Sequence, residues 1–276
     1  MNLRKFNQKN ILITGATSGI GEAMAILLAQ SSANLFLTGR SRERLATVRD
    51  KCDEIRQQAF KDANDCCHST QVFEVDFSRM ESIDTFVSTI SMENCSFDYI
   101  LLNAGVSQRS LTLETDFSVD RAIMETNFFG PVYLIKKLSG MLRSGRPVHI
   151  AITSSISGLF GFPFRSAYCS SKHALFGFFE SLELENRHIK VTFLIPGRIN
   201  TPISKNAMIG NGTIYAKMDG GQANGMDVNK CARIALRAIR KGKHRKLIGG
   251  KELLMVYFKK YVPFLFYLLA RKVSAK

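Results

Sequence analysis

Residues 10–30 constrain this chain more than any other stretch. An apolar run, Asn10 to Thr14 (NILIT), is followed by Gly15-Ala16-Thr17-Ser18-Gly19-Ile20-Gly21 and then by a helical pattern from Glu22 to Gln30. A strand entering a glycine-rich turn and leaving as a helix aims free backbone N–H groups, and the positive end of that helix, at the turn. A pyrophosphate fits there. A glycine triplet alone is weak, because glycines also make ordinary turns, but the flanking strand and helix give this one weight. Such a unit predicts alternating strands and helices built into a doubly wound, mostly parallel sheet with helices on both faces.

The second strand, Asn34 to Thr38, ends in Gly39-Arg40-Ser41. At this position of a dinucleotide site an acidic residue receives a free ribose 2′-hydroxyl, whereas an arginine accommodates a 2′-phosphate. The strand end carries Arg40 and no acid, so NADP(H) is the expected cofactor, with Ser41 and Arg44 as helpers.

Chemistry enters between Thr153 and Phe178 (TSSISGLFGFPFRSAYCSSKHALFGF), which opens at the end of an apolar run, Val148 to Ile152, and closes in a helix beginning near Ser166. Tyr168 and Lys172 are four apart there, so they project from one helix face. A phenol of ordinary pKa, about 10, is a poor proton carrier at neutral pH. An ammonium about 4 Å away, at an effective dielectric of about 20, contributes roughly 4 kcal/mol, or about three pKa units. On that reading Lys172 brings Tyr168 into working range, and Ser155, at the mouth of the preceding strand, hydrogen-bonds the same substrate oxygen. Taken alone, Tyr-x-x-x-Lys occurs by chance in many helices, and a Ser-Ser pair after a strand is an ordinary cap.

Thr14-Gly15-x-x-x-Gly19-Ile20-Gly21, with Ser155 thirteen residues before Tyr168 and Lys172 four after it, resembles the short-chain dehydrogenase/reductase superfamily, and the resemblance covers nearly the whole chain. It implies a Rossmann-type single domain over residues 1–276, with Thr14, Gly15, Ser18, Gly19, Ile20 and Gly21 at the cofactor. It further implies that Asp76 contacts adenine and that Asn103-Ala104-Gly105 lines the cofactor. Asn127 then completes a catalytic tetrad with Ser155, Tyr168 and Lys172, holding through its backbone a water that links Lys172 to solvent. Lys172 also bonds the nicotinamide ribose. The turn after the strand Lys190 to Ile195, Pro196-Gly197-Arg198-Ile199-Asn200-Thr201, lies along the nicotinamide, with Ile199 and Thr201 meeting the carboxamide. Residues 203–226, polar and glycine-rich, correspond to the family's substrate lid. Lid and tail resemble the branch of 11β-hydroxysteroid dehydrogenase and the dehydrogenase/reductase member 7 proteins, which handle steroids, retinoids and other lipids.

Between these motifs the pattern gives a long charged helix from Ser41 to Asp65, strands at Gln71 to Val75 and Phe97 to Leu102, one helix from Phe117 to Leu142, another from Asp227 to Arg240 with Asp227 as N-cap, and a last short strand at Leu247-Ile248. The 276 residues, 45% hydrophobic, suffice for one large domain. No apolar stretch precedes the first strand, so neither a signal peptide nor an N-terminal anchor is expected. Cys52, Cys66, Cys67, Cys95, Cys169 and Cys231 show no C-x-x-C spacing, and they read as free thiols in a reducing, cytoplasmic compartment with no metal site.

Net charge is +15, densest from Arg237 to Lys251 and followed by an apolar tail. That placement favours a membrane surface over nucleic acid. In the tail, residues 251–276, the clusters Leu253 to Phe258 and Val262 to Ala270 flank Lys259-Lys260-Tyr261. Each is shorter than the roughly 20 apolar residues of a transmembrane helix. The tail is expected either to lie in a bilayer interface on the cytoplasmic side or to be buried against a partner subunit, and family habit suggests a homodimer or tetramer. The resulting expectation is an NADP(H)-dependent oxidoreductase reducing a small hydrophobic ketone of lipid, steroid-like or acyl type. Its alternative is a catalytically weak NADP(H)-binding scaffold or redox sensor.

Overall fold

The computed structural model describes residues 2–60 and 68–272. Seven parallel strands form one sheet: β1 (Asn10–Thr14), β2 (Asn34–Gly39), β3 (Thr70–Glu74), β4 (Tyr99–Leu102), β5 (Val148–Thr153), β6 (Ile189–Pro196) and β7 (Arg245–Ile248). Their order is β3-β2-β1-β4-β5-β6-β7, so the winding reverses between β1 and β4. A crevice opens at the carboxyl ends of the strands at such a reversal, and that is where open α/β sheets bind ligands. The sheet and its flanking helices are the doubly wound domain that the glycine turn predicts.

Strand alternation divides the core into two layers. Ile11 and Ile13 face one side, where they pack with Met24 and Leu28 of α1 (Gly19–Leu28), Leu45 and Val48 of α2 (Arg42–Ala59) and Leu236. Leu12 faces the other, with Phe86 of α3 (Met80–Met92), Ile150 and Phe193. All of these side chains are buried, and each contributes about 1.5–3 kcal/mol by leaving water.

Two segments differ from the sequence expectation. The charged helix α2 starts after Ser41, whose hydroxyl accepts from the Arg44 N–H, and it ends at Ala59 rather than Asp65. Residues 61–65, like Cys66 and Cys67, lie outside the described residues.

Phe117 to Leu142 is broken rather than continuous. It comprises α4 (Phe117–Met124), a wide turn at Glu125–Phe129, α5 (Gly130–Lys137) and α6 (Ser139–Leu142). In the wide turn the Gly130 N–H reaches back to the Glu125 carbonyl, and Pro131 has no N–H to offer the carbonyl of Asn127. Gly130 also lies so close to Phe77 that a Cβ would stand 2.1 Å from the Phe77 carbonyl oxygen.

The rest of the chain comprises α7 (Ser166–Glu185), a single short helix α8 (Gly220–Ala223) within residues 203–226, and α9 (Val228–Arg240), whose N-cap is Asp227 as expected. The tail forms α10 (Leu254–Tyr261) and α11 (Pro263–Ala270), broken at Val262-Pro263. Among the described residues no helix is long and apolar enough to cross a membrane.

Candidate active site

The nucleotide end of the crevice is built from backbone. Gly15 has φ +65, and a Cβ on it would stand 2.7 Å from the Ala104 Cα; Gly19 has φ +61. A Cβ on Gly21 would stand 2.3 Å from the Gly15 carbonyl oxygen. Side chains are therefore excluded where the turn, the start of α1 and the end of β4 meet. Ser18 is the N-cap of α1, yet its hydroxyl makes no capping bond. Ser18 lines the same cavity as Gly15, Gly19 and Ile20.

Thr14 and Gly21, predicted at the cofactor, stand behind this cradle instead. Thr14 is fully buried, and its Oγ1 accepts the backbone N–H groups of Asn103 (2.9 Å) and Ala104 (3.0 Å), tying β1 to β4. Asn103 donates its side-chain amide to the Gly15 carbonyl at 3.2 Å, so it shapes the turn as well as lining the cavity.

Farther along the cavity come Arg40, Ser41 and Arg44, then Asp76, which also accepts from the Ser78 N–H and hydroxyl. A glycine cradle at a helix N-terminus fits the pyrophosphate of a dinucleotide.

At the other end, Ala104, Gly105, Ser155, Tyr168, Lys172, Pro196, Gly197, Ile199 and Thr201 line the same cavity. Asn127 stands just behind them. Its side chain accepts from the Val106 N–H at 2.8 Å and donates to the Val106 carbonyl at 2.9 Å and to the Ser171 hydroxyl at 3.0 Å. A Cβ on Gly105 would meet Asn127 Oδ1 at 3.1 Å and Lys172 Nζ at 3.3 Å, so this glycine lets the two approach. Ser155 donates to the Pro196 carbonyl at 3.4 Å and accepts from the Ser157 N–H at 3.2 Å. All four predicted tetrad residues are thus brought together.

The electrostatics differ from the expectation for Lys172. Its ammonium donates to the Thr153 carbonyl at 2.9 Å and lies 5.8 Å from the centre of the Tyr168 ring. Burial pushes Lys172 down to about 8 and pushes the Tyr168 phenol up. Against that rise work the Arg165 guanidinium and the neighbouring Ser155 hydroxyl. Spacing on a helix placed Tyr168 and Lys172 on one face, but it carried no information about the loss of water from both.

Sequence reasoning missed three residues here. Arg109, in the loop after β4, is buried and bonds Asp219 Oδ2 through Nε at 2.9 Å; Arg165, the N-cap residue of α7, approaches the same oxygen at 3.4 Å. Asp219 belongs to the expected lid. That segment is also pinned by Gln222, which donates to the Ile199 carbonyl, and by bridges joining Met208 to Gln108 and Met226 to Ile199. Arg165, three residues before Tyr168 at a helix start, was visible as a signal; Arg109 and Asp219 were not.

The family profile described as short chain dehydrogenase matches residues 9–211. Dehydrogenase/reductase SDR family member 7B of Xenopus laevis is 36% identical over 260 residues, spanning 93% of this chain and 79% of the relative. A Drosophila melanogaster SDR family protein 7-like relative is 31% identical over 271 residues, spanning 97% and 81%. Among solved structures, a short chain dehydrogenase/reductase from Burkholderia phymatum, in complex with NAD, superposes with a TM-score of 0.79 at 19% identity over 96% of each chain. An alcohol dehydrogenase from Thermococcus sibiricus, complexed with 5-hydroxy-NADP, gives 0.69 at 22% identity over 88% of this chain and 97% of that one. The structural likenesses speak for the fold, and the sequence matches for descent. This chain belongs to the short-chain dehydrogenase/reductase family of oxidoreductases, in its member 7-like branch.

Proposed function

We propose that the protein is an NADP(H)-dependent carbonyl reductase acting on a hydrophobic ketone of lipid, steroid-like or acyl type. One observation carries the reading: Ser155, Tyr168 and Lys172, with Asn127 behind them, meet on the wall of a single cavity whose other end is Arg40. The bound cofactor supplies hydride to the substrate carbon. Tyr168 gives its hydroxyl proton to the carbonyl oxygen, and Ser155 donates a hydrogen bond to that oxygen. Lys172 binds the nicotinamide ribose. Being held near 8, it also exchanges a proton near neutral pH, and Asn127 links it toward solvent through its backbone. Arg40, with Ser41 and Arg44, holds the 2′-phosphate. Pro196, Gly197, Ile199 and Thr201 set the nicotinamide face, and Asp76 the adenine. Cellular NADP pools are kept reduced, so reduction is the working direction.

Support for a hydrophobic substrate comes from the apolar side chains beside the catalytic end. A second chamber of about 1060 Å³ adjoins it, between residues 219–227, the loop after β5 and the start of the tail; Phe162, Met226 and Met255 supply apolar patches in a wall that also carries Arg198, Asp227, Lys230 and Glu252. Residues 203–226 act as the lid of that chamber. Phe160, in the loop after β5, packs edge-on against Phe266 of α11, ring centres 4.9 Å apart, so the tail lies beside this entrance.

The tail's outer face exposes Leu254, Tyr257, Tyr261, Val262, Phe264, Tyr267 and Leu268. Lys259, Lys260, Arg271 and Lys272 accompany them, which suits an anionic phospholipid surface. Co-sedimentation with phosphatidylserine vesicles, lost in Phe264→Glu/Leu268→Glu, tests this. Sedimentation unaffected by the variant, together with a change of mass in solution, would assign the face to the homodimer or tetramer contact instead.

The deciding experiment is titration with NADPH and NADH. NADPH binds more tightly, and Arg40→Ala weakens it about 10- to 100-fold while leaving NADH unchanged, as expected for one charge-assisted phosphate contact. Equal affinities for the two cofactors would overturn the assignment.

A further inference from the structure

The tail enters the fold through an acceptor that its apolar pattern does not reveal. Glu252 lies half-buried in the short turn Lys251–Leu253 between β7 and α10. Its Oε1 accepts the backbone N–H of Arg198 at 2.9 Å and that of Gly250 at 3.0 Å. Bonds from N–H groups to a carboxylate are roughly twice as strong as neutral ones. Three glycines make room for this carboxylate. A Cβ on Gly197 would stand 2.3 Å from Oε1, one on Gly249 2.4 Å from it, and one on Gly250 3.2 Å from Oε2.

Arg198 belongs to the turn after β6 along which the nicotinamide is proposed to lie. In that turn the Gly197 N–H donates to the Ile248 carbonyl at 2.8 Å and the Asn200 N–H to the Met226 carbonyl at 2.9 Å, while the Met226 N–H donates to the Arg198 carbonyl at 2.8 Å. With the Arg198 N–H taken by Glu252, only the Ile199 N–H, among the backbone donors of residues 197–200, has no partner among the described residues. Residues 203–226 thus hold one part of the turn and the tail holds another. Gly197, Ile199 and Thr201 line the cavity that contains Tyr168 and Lys172, whereas Glu252 lines the second chamber and not that cavity. Any effect of Glu252 on the reacting atoms must therefore pass through the turn.

The same tail braces the loop after β5, because Ile156, next to Ser155, and Leu159 share an apolar cluster with Met255 and Phe266. The turn and that loop are themselves joined by the bond from the Ser155 hydroxyl to the Pro196 carbonyl. We propose that Glu252 is a positioning residue for hydride transfer: its carboxylate fixes residues 197–199 so that nicotinamide C4 is offered to the substrate carbon beside Tyr168. The inference rests on the nicotinamide role proposed for residues 196–201. It gives the first turn of the tail a task at the cofactor, separate from the contact made by the tail's outer face.

Single-turnover oxidation of bound NADPH by phenanthrenequinone, followed by stopped-flow absorbance, reads the hydride step apart from cofactor binding. In Glu252→Ala this rate is expected to fall about 10- to 100-fold, the scale of a misplacement of about 1 Å, with NADPH affinity close to the parent's. Glu252→Gln keeps an oxygen acceptor at the same reach and should restore most of the rate; Glu252→Asp, one methylene shorter, should not. Gly249→Ala displaces the carboxylate without removing it and leaves the lining of the cofactor cavity intact, so it decides the matter if Glu252→Ala fails to fold. Hydrogen exchange of the Arg198 amide should quicken in both alanine variants, and NADPH should protect residues 196–201 in the parent. A lowered melting temperature with the hydride rate unchanged, as for a merely structural contact, would overturn the proposal. So would a Glu252→Gln protein as slow as Glu252→Ala. A parent that neither reduces the quinone nor gains protection at residues 196–201 would instead overturn the proposed function.

Discussion

The two ends of the crevice are made of different material. The nucleotide end consists of backbone: no Cβ fits where Gly15 approaches Ala104 and Gly21 approaches Gly15, and Gly19 has φ +61 with Thr201 close by. The catalytic end consists of buried ionisable side chains: Tyr168, Lys172, Arg109 and Asp219 all lose most of their water. Shape governs the first end, so its sensitivity is steric and independent of pH. Charge governs the second, and its sensitivity is electrostatic.

The sharpest way to break this comparison is to change one heavy atom at each end. Tyr168→Phe keeps the ring and deletes the proton. Turnover is expected to fall by about 10²- to 10⁴-fold, the usual worth of a positioned acid, with NADPH binding unchanged. Retention of most of the turnover would remove Tyr168 from the mechanism. Gly21→Ala adds one carbon at 2.3 Å from the Gly15 carbonyl, so the turn must shift. Overpacking of this kind costs about 1–3 kcal/mol, and NADPH affinity should fall with it at every pH tested. Gly161→Ala is the control, because a Cβ there meets nothing within 4 Å. Equal melting temperatures for the two alanine variants would mean that the cradle is not held by shape.

What could be read from the chain follows the same division. The glycine turn, the end of β2 and the Ser155, Tyr168 and Lys172 constellation were legible because each is a local spacing pattern, and periodicity with glycine placement sufficed for the sheet. Thr14 was read as a cofactor contact because it adjoins the turn, but its hydroxyl is consumed by two N–H groups of β4, a partnership that only the folded sheet creates. The break within residues 117–142 had a signal, Gly130-Pro131, that helical periodicity overrode. Arg109 and Asp219 lie 110 residues apart, and no pattern in the chain pairs them. The downward shift of Lys172 depends on burial on all sides, which spacing does not report.

A smaller effect, opposite in sign to most mutations, sharpens the contrast. Burial lowers Lys172 from the ordinary 10.5 to about 8, so the folded protein holds this charge less readily than the unfolded chain does. Below pH 8 both states are charged and folding bears the whole penalty, about 3 kcal/mol at one pKa unit per 1.36 kcal/mol. Lys172→Met removes it. After deducting about 1 kcal/mol for the lost bond to Thr153, the variant should be about 2 kcal/mol more stable at pH 7 while losing turnover and cofactor affinity. Because the penalty fades as pH rises from 8 to 10.5, the advantage should fade over that window. Thermal melting across pH checks the sign, and a variant less stable than the parent at pH 7 would show that Lys172 is not held at the expense of folding.

The smallest expected effect tests whether the nucleotide end is free of such costs. Arg44 lies exposed in the first turn of α2 and reaches the cavity beside Arg40. An exposed cation contributes about 0.2–1 kcal/mol to binding an anion, so Arg44→Ala should weaken NADPH about two- to fivefold. The loss should shrink as salt is raised, because solvent-exposed charges are screened. Stability and turnover at saturating NADPH should not change, since the residue is neither buried nor near Tyr168. A change in melting temperature as large as that of Lys172→Met would erase the distinction between the two ends. An affinity loss confined to low salt would place the nucleotide end's few charges in water, where they guide the cofactor into a cradle that glycines have already shaped.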